Sequence, residues 1–225
     1  MQDARYVREA FAGIARRYVL TNHVLSMGTD VLWRRKTARL VASFAPTRIL
    51  DLATGSGDLA LAIQGTCPDA TVLGADFSVP MMRQAQQLRF QNLIAADAMS
   101  LPLADTAFDV VTVAFGLRNM ASWPGALKEM HRVLRPGGHL IVLDFSIPSF
   151  PFMRAPYLFY LKHVMPKIAG LLTGKREAYE YLCGSIERFP SGAKMESLMR
   201  ESGFADPVSR PLSFGIATLY SARRP

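Results

Sequence analysis

The chain has 225 residues, half of them hydrophobic and one fifth charged, with a formal net charge of +8. That balance excludes a disordered chain and fits one domain, residues 1–225, with a large buried core. Two cysteines, Cys67 and Cys183, cannot build a disulfide framework or a cysteine-based metal site and read as reduced core thiols, and no apolar run is long enough to span a bilayer.

In chain order, residues 4–44 read as helical, with turn signals at Thr21-Asn22 and Gly28-Thr29-Asp30. The first eighteen residues carry acids and lack a secretory apolar core, so a cytoplasmic protein is expected. From residue 48 the period changes. RILDLAT is a short apolar run ending in a glycine loop, as in a buried parallel strand. GDLALAIQGTC reads as a helix, TVLGADF as a second strand and SVPMMRQAQQLR as a second helix with Ser78 as its N-cap. NLIAADA and FDVVTVAFG are a third and a fourth strand. WPGALKEMHRVL is a helix stopped by Arg135-Pro136-Gly137-Gly138, and HLIVLDFS a fifth strand. This alternation predicts an α/β parallel sheet with helices on both faces. Residues 147–192, rich in aromatics, Pro, Met and Lys, break the rhythm and read as an inserted helical cap. AKMESLMRESGF returns as a helix, and VSRPLSFGIATLYSARR as an antiparallel hairpin turning near Ser213–Gly215.

The glycine loop frames the functional question. Gly55-Ser56-Gly57-Asp58-Leu59-Ala60 satisfies both the dinucleotide pattern G-x-G-x-x-G/A and the looser loop of S-adenosylmethionine (SAM) enzymes. Ligands of open α/β sheets bind at the carboxyl ends of the strands, so Asp51, Gly55, Ser56 and Gly57 should face the crevice. Asp76, 21 residues after Gly55, can accept both hydroxyls of a ribose, with Phe77 beside it; this serves NAD and SAM alike. Asp51 discriminates: unit charges about 4 Å apart interact by roughly 4 kcal/mol at a dielectric near 20. Near a pyrophosphate this is repulsion, whereas near the ammonium of a methionine moiety it is attraction. Asp58, at the helix start, discourages a further anion. Asp97-Ala98, after strand three, can meet the adenine amino group and a ring nitrogen. These residues favour SAM over NAD.

Four segments, FAGIARRYVLTNHVLSMGTDVLWRRK, AFGLRNM, VLRPGGHLIVLDFSIP and YEYLCGSIERFP, resemble the ubiquinone/menaquinone biosynthesis C-methyltransferases, class I SAM-dependent enzymes, over roughly residues 6–220. The resemblance implies a Rossmann-like, seven-stranded, mostly parallel sheet with an antiparallel C-terminal hairpin, N-terminal helices (residues 1–46) and the helical cap. It implies SAM as methyl donor, no metal, and a polyprenylated quinol as acceptor. Its cofactor contacts carry over to Ser56, Asp76 and Asp97-Ala98; Ala114 stands where the family usually has Ser. The family's Y-D-x-x-N pattern reads Tyr18-Val19-Leu20-Thr21-Asn22, making Tyr18 and Asn22 expected substrate contacts without the acid, and Tyr220 replaces a usual His.

Carbon methylation of a quinol needs a ring oxyanion that pushes electron density to the adjacent carbon. Arg118 in GLRN is expected at the crevice mouth, holding that oxyanion through its donor fork. Asn119 can orient the same oxygen, while a water or a nearby acceptor takes the proton. Within the cap, Tyr160 and His163 are expected to reach the quinol. His131 reads as structural, His139 lies beside the Pro-Gly-Gly turn, and His23 belongs to an N-terminal segment that can fold over the active site; none has metal-ligand spacing.

Net charge is +6 over residues 1–48, −3 over 49–149 and +5 over 150–225. Basic flanks and the aromatic cap suit peripheral contact with an anionic membrane, at its inner face. A homodimer interface is the competing use of that apolar surface. A basic nucleic-acid-binding module is the reading from another class; it lacks an RNA-binding aromatic motif, so no nucleic-acid partner is expected. A SAM enzyme for another small aromatic or lipid substrate is the second enzyme reading.

Overall fold

The computed structural model describes residues 26, 28–165 and 176–225, with side chains from 182 onward in the last segment. A seven-stranded sheet runs in the order β3-β2-β1-β4-β5-β7-β6. Its parallel strands are β1 (Arg48–Leu52), β2 (Thr71–Asp76), β3 (Leu93–Ala95), β4 (Phe108–Ala114) and β5 (Leu134–Phe145). Two antiparallel strands close the far edge, β6 (Ala205–Leu212) and β7 (Ala217–Arg223), joined by a tight turn at Ser213–Gly215. Helices α1 (Asp30–Ala42), α2 (Asp58–Thr66), α3 (Val79–Gln87), α4 (Trp123–Val133), α5 (Pro151–Phe159), α6 (Arg176–Arg188) and α7 (Ala193–Glu201) flank it. The strand period of two explains the two-sided core. Ile49, Val110, Ile141, Leu143 and Phe145 pack on one face, while Leu50, Leu52, Val111, Val113, Leu140 and Val142 pack on the other.

The parallel alternation and the terminal hairpin agree with the sequence reading. Three local expectations need correction. Arg135-Pro136-Gly137-Gly138 lies within β5 instead of preceding it. There the Gly137 N–H donates to the Arg224 carbonyl, and the Arg224 N–H to that of Gly138, which recruits the turn residues into the sheet. Ser78 stands at the N-cap position of α3, but its hydroxyl makes no capping hydrogen bond. The third strand is only three residues long. In the cap, α5 continues into a π-turn at Tyr160–Val164, and α6 follows beyond the undescribed residues 166–175. Both cysteines are buried, and the Cys183 thiol donates to the Leu161 carbonyl at 2.9 Å.

Strand order reverses between β1 and β4, and there the backbone is under strain. Ala53, directly after β1, has φ 54°, and Phe115, directly after β4, has φ 57°. Left-handed backbone is costly for residues with a side chain and concentrates at functional sites. The two loops also touch closely, since a Cβ on Gly116 would lie 2.5 Å from the Ala53 Cβ.

Candidate active site

The loop after β1 supplies one wall of the site. Gly55 (φ 57°) and Gly57 (φ 80°) let it turn back on itself, and Gly57 caps α2 in left-handed geometry. A Cβ on Gly55 would lie 3.2 Å from the Met81 Cε, so α3 packs directly on the loop. A cleft with about 380 Å³ of empty space, open to solvent, sits over this loop. Arg34, Asp51, Ala53, Thr54, Gly55, Ser56, Asp58, Leu59, Met81 and Ala114 line it.

Asp51 is buried at the cleft floor. The β1–β4 register sets it against Thr112, whose hydroxyl donates to Oδ1 at 2.6 Å, while the Thr54 hydroxyl donates to Oδ2 at 2.7 Å. Burial nevertheless pushes its pKa up to about 6, with the Asp76 charge adding to the rise and Arg34 opposing it. Ser56 donates to Asp58 Oδ2 at 2.5 Å, which holds that acid at the mouth of α2.

Arg34 comes from α1, where it pairs with the buried Asp30. Its guanidinium lies over the Phe115 ring, 5.4 Å from the centroid. Arg34 was not among the residues expected at the site. The available signal was an absence: residues 49–82 contain no Lys or Arg, so a cation opposite Asp51 and Asp58 had to come from elsewhere in the chain.

Asp76 closes β2 beside the cleft. Its Oδ2 accepts the Gly55 N–H and its Oδ1 the Ser78 N–H, both at 2.8 Å. The Phe77 N–H also favours the ionised form, yet burial raises the pKa above the ordinary carboxylate value. A carboxylate offers about four lone-pair sites, so acceptor capacity remains for a diol. Asp97 is exposed at the end of β3, with Ala98 half-buried next to it; its Oδ1 accepts the Met99 N–H. Asp97 and Ala98 are not among the residues lining the cleft.

Arg118 does not sit at the crevice mouth. It is fully buried, donates to Asp144 Oδ1 at 2.7 Å and to the Phe115 carbonyl at 2.6 Å, and lies over the Phe145 ring. Its backbone N–H reaches Asp144 Oδ2 at 3.3 Å. The short turn Leu117–Asn119 points the side chain inward, toward a carboxylate on β5 that no local spacing announces. Asn119 donates from Nδ2 to the Phe115 carbonyl at 3.4 Å. Tyr160 is half-buried in the π-turn, and His163 is exposed, 5.1 Å from the Phe159 ring. Tyr18, Asn22, Val19 and His23 lie outside the described residues. Tyr220 serves the fold: its buried hydroxyl accepts the Gly192 N–H at 3.0 Å, tying β7 to the start of α7. His139 stacks on Phe44, and His131 meets Phe204 edge-on.

Comparison with known proteins decides the family. Residues 1–224 match the model of the ubiE/COQ5 methyltransferase family. The chain belongs to that family. Among relatives of the ubiE/COQ5 family, a demethylmenaquinone methyltransferase of Thermus thermophilus is 44% identical over 220 residues, covering 96% of this chain and 100% of its own. A ubiquinone/menaquinone biosynthesis C-methyltransferase of Syntrophotalea carbinolica is 43% identical, with 96% and 93% covered. Solved structures support the fold. A SAM-dependent methyltransferase from Thermotoga maritima superposes with a TM-score of 0.68 at 18% identity, covering 97% of this chain and 100% of the other. One from Aquifex aeolicus gives 0.58 at 16%, covering 83% and 88%. The chain is thus a SAM-dependent C-methyltransferase of the ubiE/COQ5 family, acting in quinone biosynthesis. Among the described residues no helix is long and apolar enough to cross a membrane.

Proposed function

We propose that this chain methylates a ring carbon of a polyprenylated quinol, with demethylmenaquinol as its principal acceptor. The observation that carries this reading is the end-to-end likeness to the Thermus thermophilus protein named demethylmenaquinone methyltransferase.

SAM brings a methyl group already activated on sulfonium sulfur. The residues of the cleft fit its amino-acid end. Asp51 and Asp58 offer negative charge and Arg34 positive charge within one lining, as a zwitterion requires. Asp76 keeps acceptor sites for the ribose, Phe77 packs beside it, and Asp97 with Ala98 meets the adenine from the end of β3. Gly55 and Gly57 allow the loop backbone to approach the ligand, and Ala114 closes the inner wall.

An aromatic group adjoins the cleft. Phe115 lies 4.7 Å from Phe145, and Trp33 stands edge-on to Phe145 at 6.0 Å. These rings are buried and back the cleft wall from inside the core; the acceptor is met by Tyr160 and His163 on the cap side and by Tyr18 and Asn22 from the N-terminal segment. Alignment of carbon, methyl and sulfur accounts for roughly 7–11 kcal/mol of the barrier in such systems. We assign Arg118 and Asn119 to positioning: both donate to the Phe115 carbonyl and so fix the loop after β4 behind the cleft. Because the acceptor carries a polyprenyl tail, catalysis takes place at a membrane surface; residues 1–46 and 147–192 act as additions to a single domain.

The test is calorimetric titration with SAM and with NAD, followed by methyl transfer to reduced demethylmenaquinone and to a benzoquinol precursor side by side. SAM binding with transfer to the naphthoquinol ring is expected. SAM binding with transfer to neither quinol would remove the assigned acceptor.

A further inference from the structure

Of the nine large apolar side chains exposed among the described residues, six lie in three short segments. Val31 and Leu32 open α1, Phe150, Phe152 and Phe159 belong to the cap, and Phe214 tips the β6–β7 turn. Phe152 is 69% exposed and Phe214 68%. Specific contacts draw these segments to one corner. The Trp33 indole N–H donates to the Ser213 hydroxyl at 2.9 Å. The Ser146 hydroxyl donates to the Gly215 carbonyl at 2.7 Å, and Gly215 packs so closely on Pro148 that a Cβ would lie 3.2 Å from its Cα. Phe150 and Phe152 then meet at 5.8 Å.

The charge of this corner is mostly of one sign. Residues 31–50, 145–165 and 207–225 contain no Asp or Glu at all. Within them Arg35, Lys36, Arg154 and Arg210 are exposed, while Lys162 pairs with Glu187 of α6 at 3.1 Å. Aromatic side chains ringed by cations complement an interface of acyl chains below anionic headgroups. The corner is also continuous with the cleft: Leu32 faces outward on α1, and Arg34, two residues on, faces into the cleft.

We propose that this corner, formed by the start of α1, the cap around Phe152 and the Phe214 turn, docks on an anionic phospholipid surface. The proposal rests on the reading of a polyprenylated acceptor, whose ring is presented at the headgroup level while its tail stays in the bilayer.

The experiment is cosedimentation of the full chain with phosphatidylglycerol/phosphatidylethanolamine vesicles and with phosphatidylcholine vesicles, at low and high salt. The variant is Leu32→Gln/Phe152→Gln/Phe214→Asn, with Asn chosen because Phe214 has φ 58°. Binding to the anionic vesicles is expected, weakened by salt, and lowered by about tenfold for each inserted side chain removed. Methylation of a water-soluble, short-tailed demethylmenaquinol should be unchanged in the variant. Failure of the parent chain to bind anionic vesicles, or equal binding by the variant, overturns the proposal. So does light scattering that shows the variant converting a dimer to a monomer with vesicle binding intact, since a second copy is then the occupant. Anionic-vesicle binding lost in the variant, with no transfer to the short-tailed quinol by either protein, supports the docking surface and removes only the assigned acceptor.

Discussion

Arg118 and Asp144 form an ion pair across 2.7 Å with both side chains fully buried, and the same guanidinium nitrogen holds the Phe115 carbonyl. One interaction thereby fixes the strained residue after β4 to the carboxyl end of β5. Removing one partner leaves an uncompensated buried charge, so Arg118→Met is expected to cost about 3–5 kcal/mol in urea unfolding. Arg118→Met/Asp144→Leu should recover much of that loss. Full stability in the single variant would contradict the pair's structural role.

Asp76 receives two backbone N–H groups from two different loops. Hydrogen bonds to a charged group contribute roughly 1.5–3 kcal/mol each. Asp76→Ala therefore loosens the glycine loop and removes the ribose acceptor together. SAM affinity by calorimetry should fall by at least about a hundredfold, and near-native affinity would refute the ribose assignment.

Asp51 sets a pH dependence of two opposite signs. Its pKa is about 6 in the fold against an ordinary 3.8, so the folded protein holds this proton more tightly than the unfolded chain. Its contribution to stability is therefore present in full below about pH 4 and is lost as pH rises to about 6. Asp51→Asn should remove that loss, by about 3 kcal/mol at neutral pH relative to acid, read from urea curves of both proteins at each pH. SAM affinity should run the other way, strengthening as pH rises through about 6, because the ammonium pairs with the ionised form. Calorimetry in buffers of different ionisation enthalpy should show proton release on binding below that pH.

Arg34 is held both by Asp30 and by the Phe115 ring. Arg34→Lys keeps the charge but lacks the planar fork and the stacking surface. Both Arg34→Lys and Arg34→Ala should weaken SAM binding, the second by about tenfold or more, while affinity for adenosine alone stays close to that of the parent. An equal loss for adenosine would show that Arg34 acts on the fold and not on the methionine moiety.

Gly116 faces Ala53 where the two strained loops cross. Gly116→Ala forces them apart, with an expected cost of about 1–3 kcal/mol in stability. The cleft is lined by Ala53 and Ala114, so SAM affinity should drop in the same variant.

The sheet could be read from the sequence because buried parallel strands are short apolar runs and the glycine loop punctuates the first of them. Asp51, Gly55 and Ser56 could be placed because strand ends project into the crevice whatever the rest of the chain does. Arg118 could not be placed. The partner that draws it inward, Asp144, is 26 residues away on another strand, and burial of a guanidinium is decided by such a partner. Arg34 was missed for the same kind of reason, since it reaches the cleft only after α1 packs across the end of β4. At Gly137–Gly138 the local turn signal was overruled by pairing with Arg224, some 90 residues downstream.

The hydrogen bond from Trp33 to Ser213 has a mechanical consequence. It bolts the helix that carries Arg34 to the terminal hairpin, which β5 in turn grips along seven registered pairs. The cleft wall therefore cannot swing on its own as a hinged flap. Opening it requires the hairpin turn to let go as well, so amide hydrogens of α1 and of the Ser213–Gly215 turn should exchange as one cooperative unit.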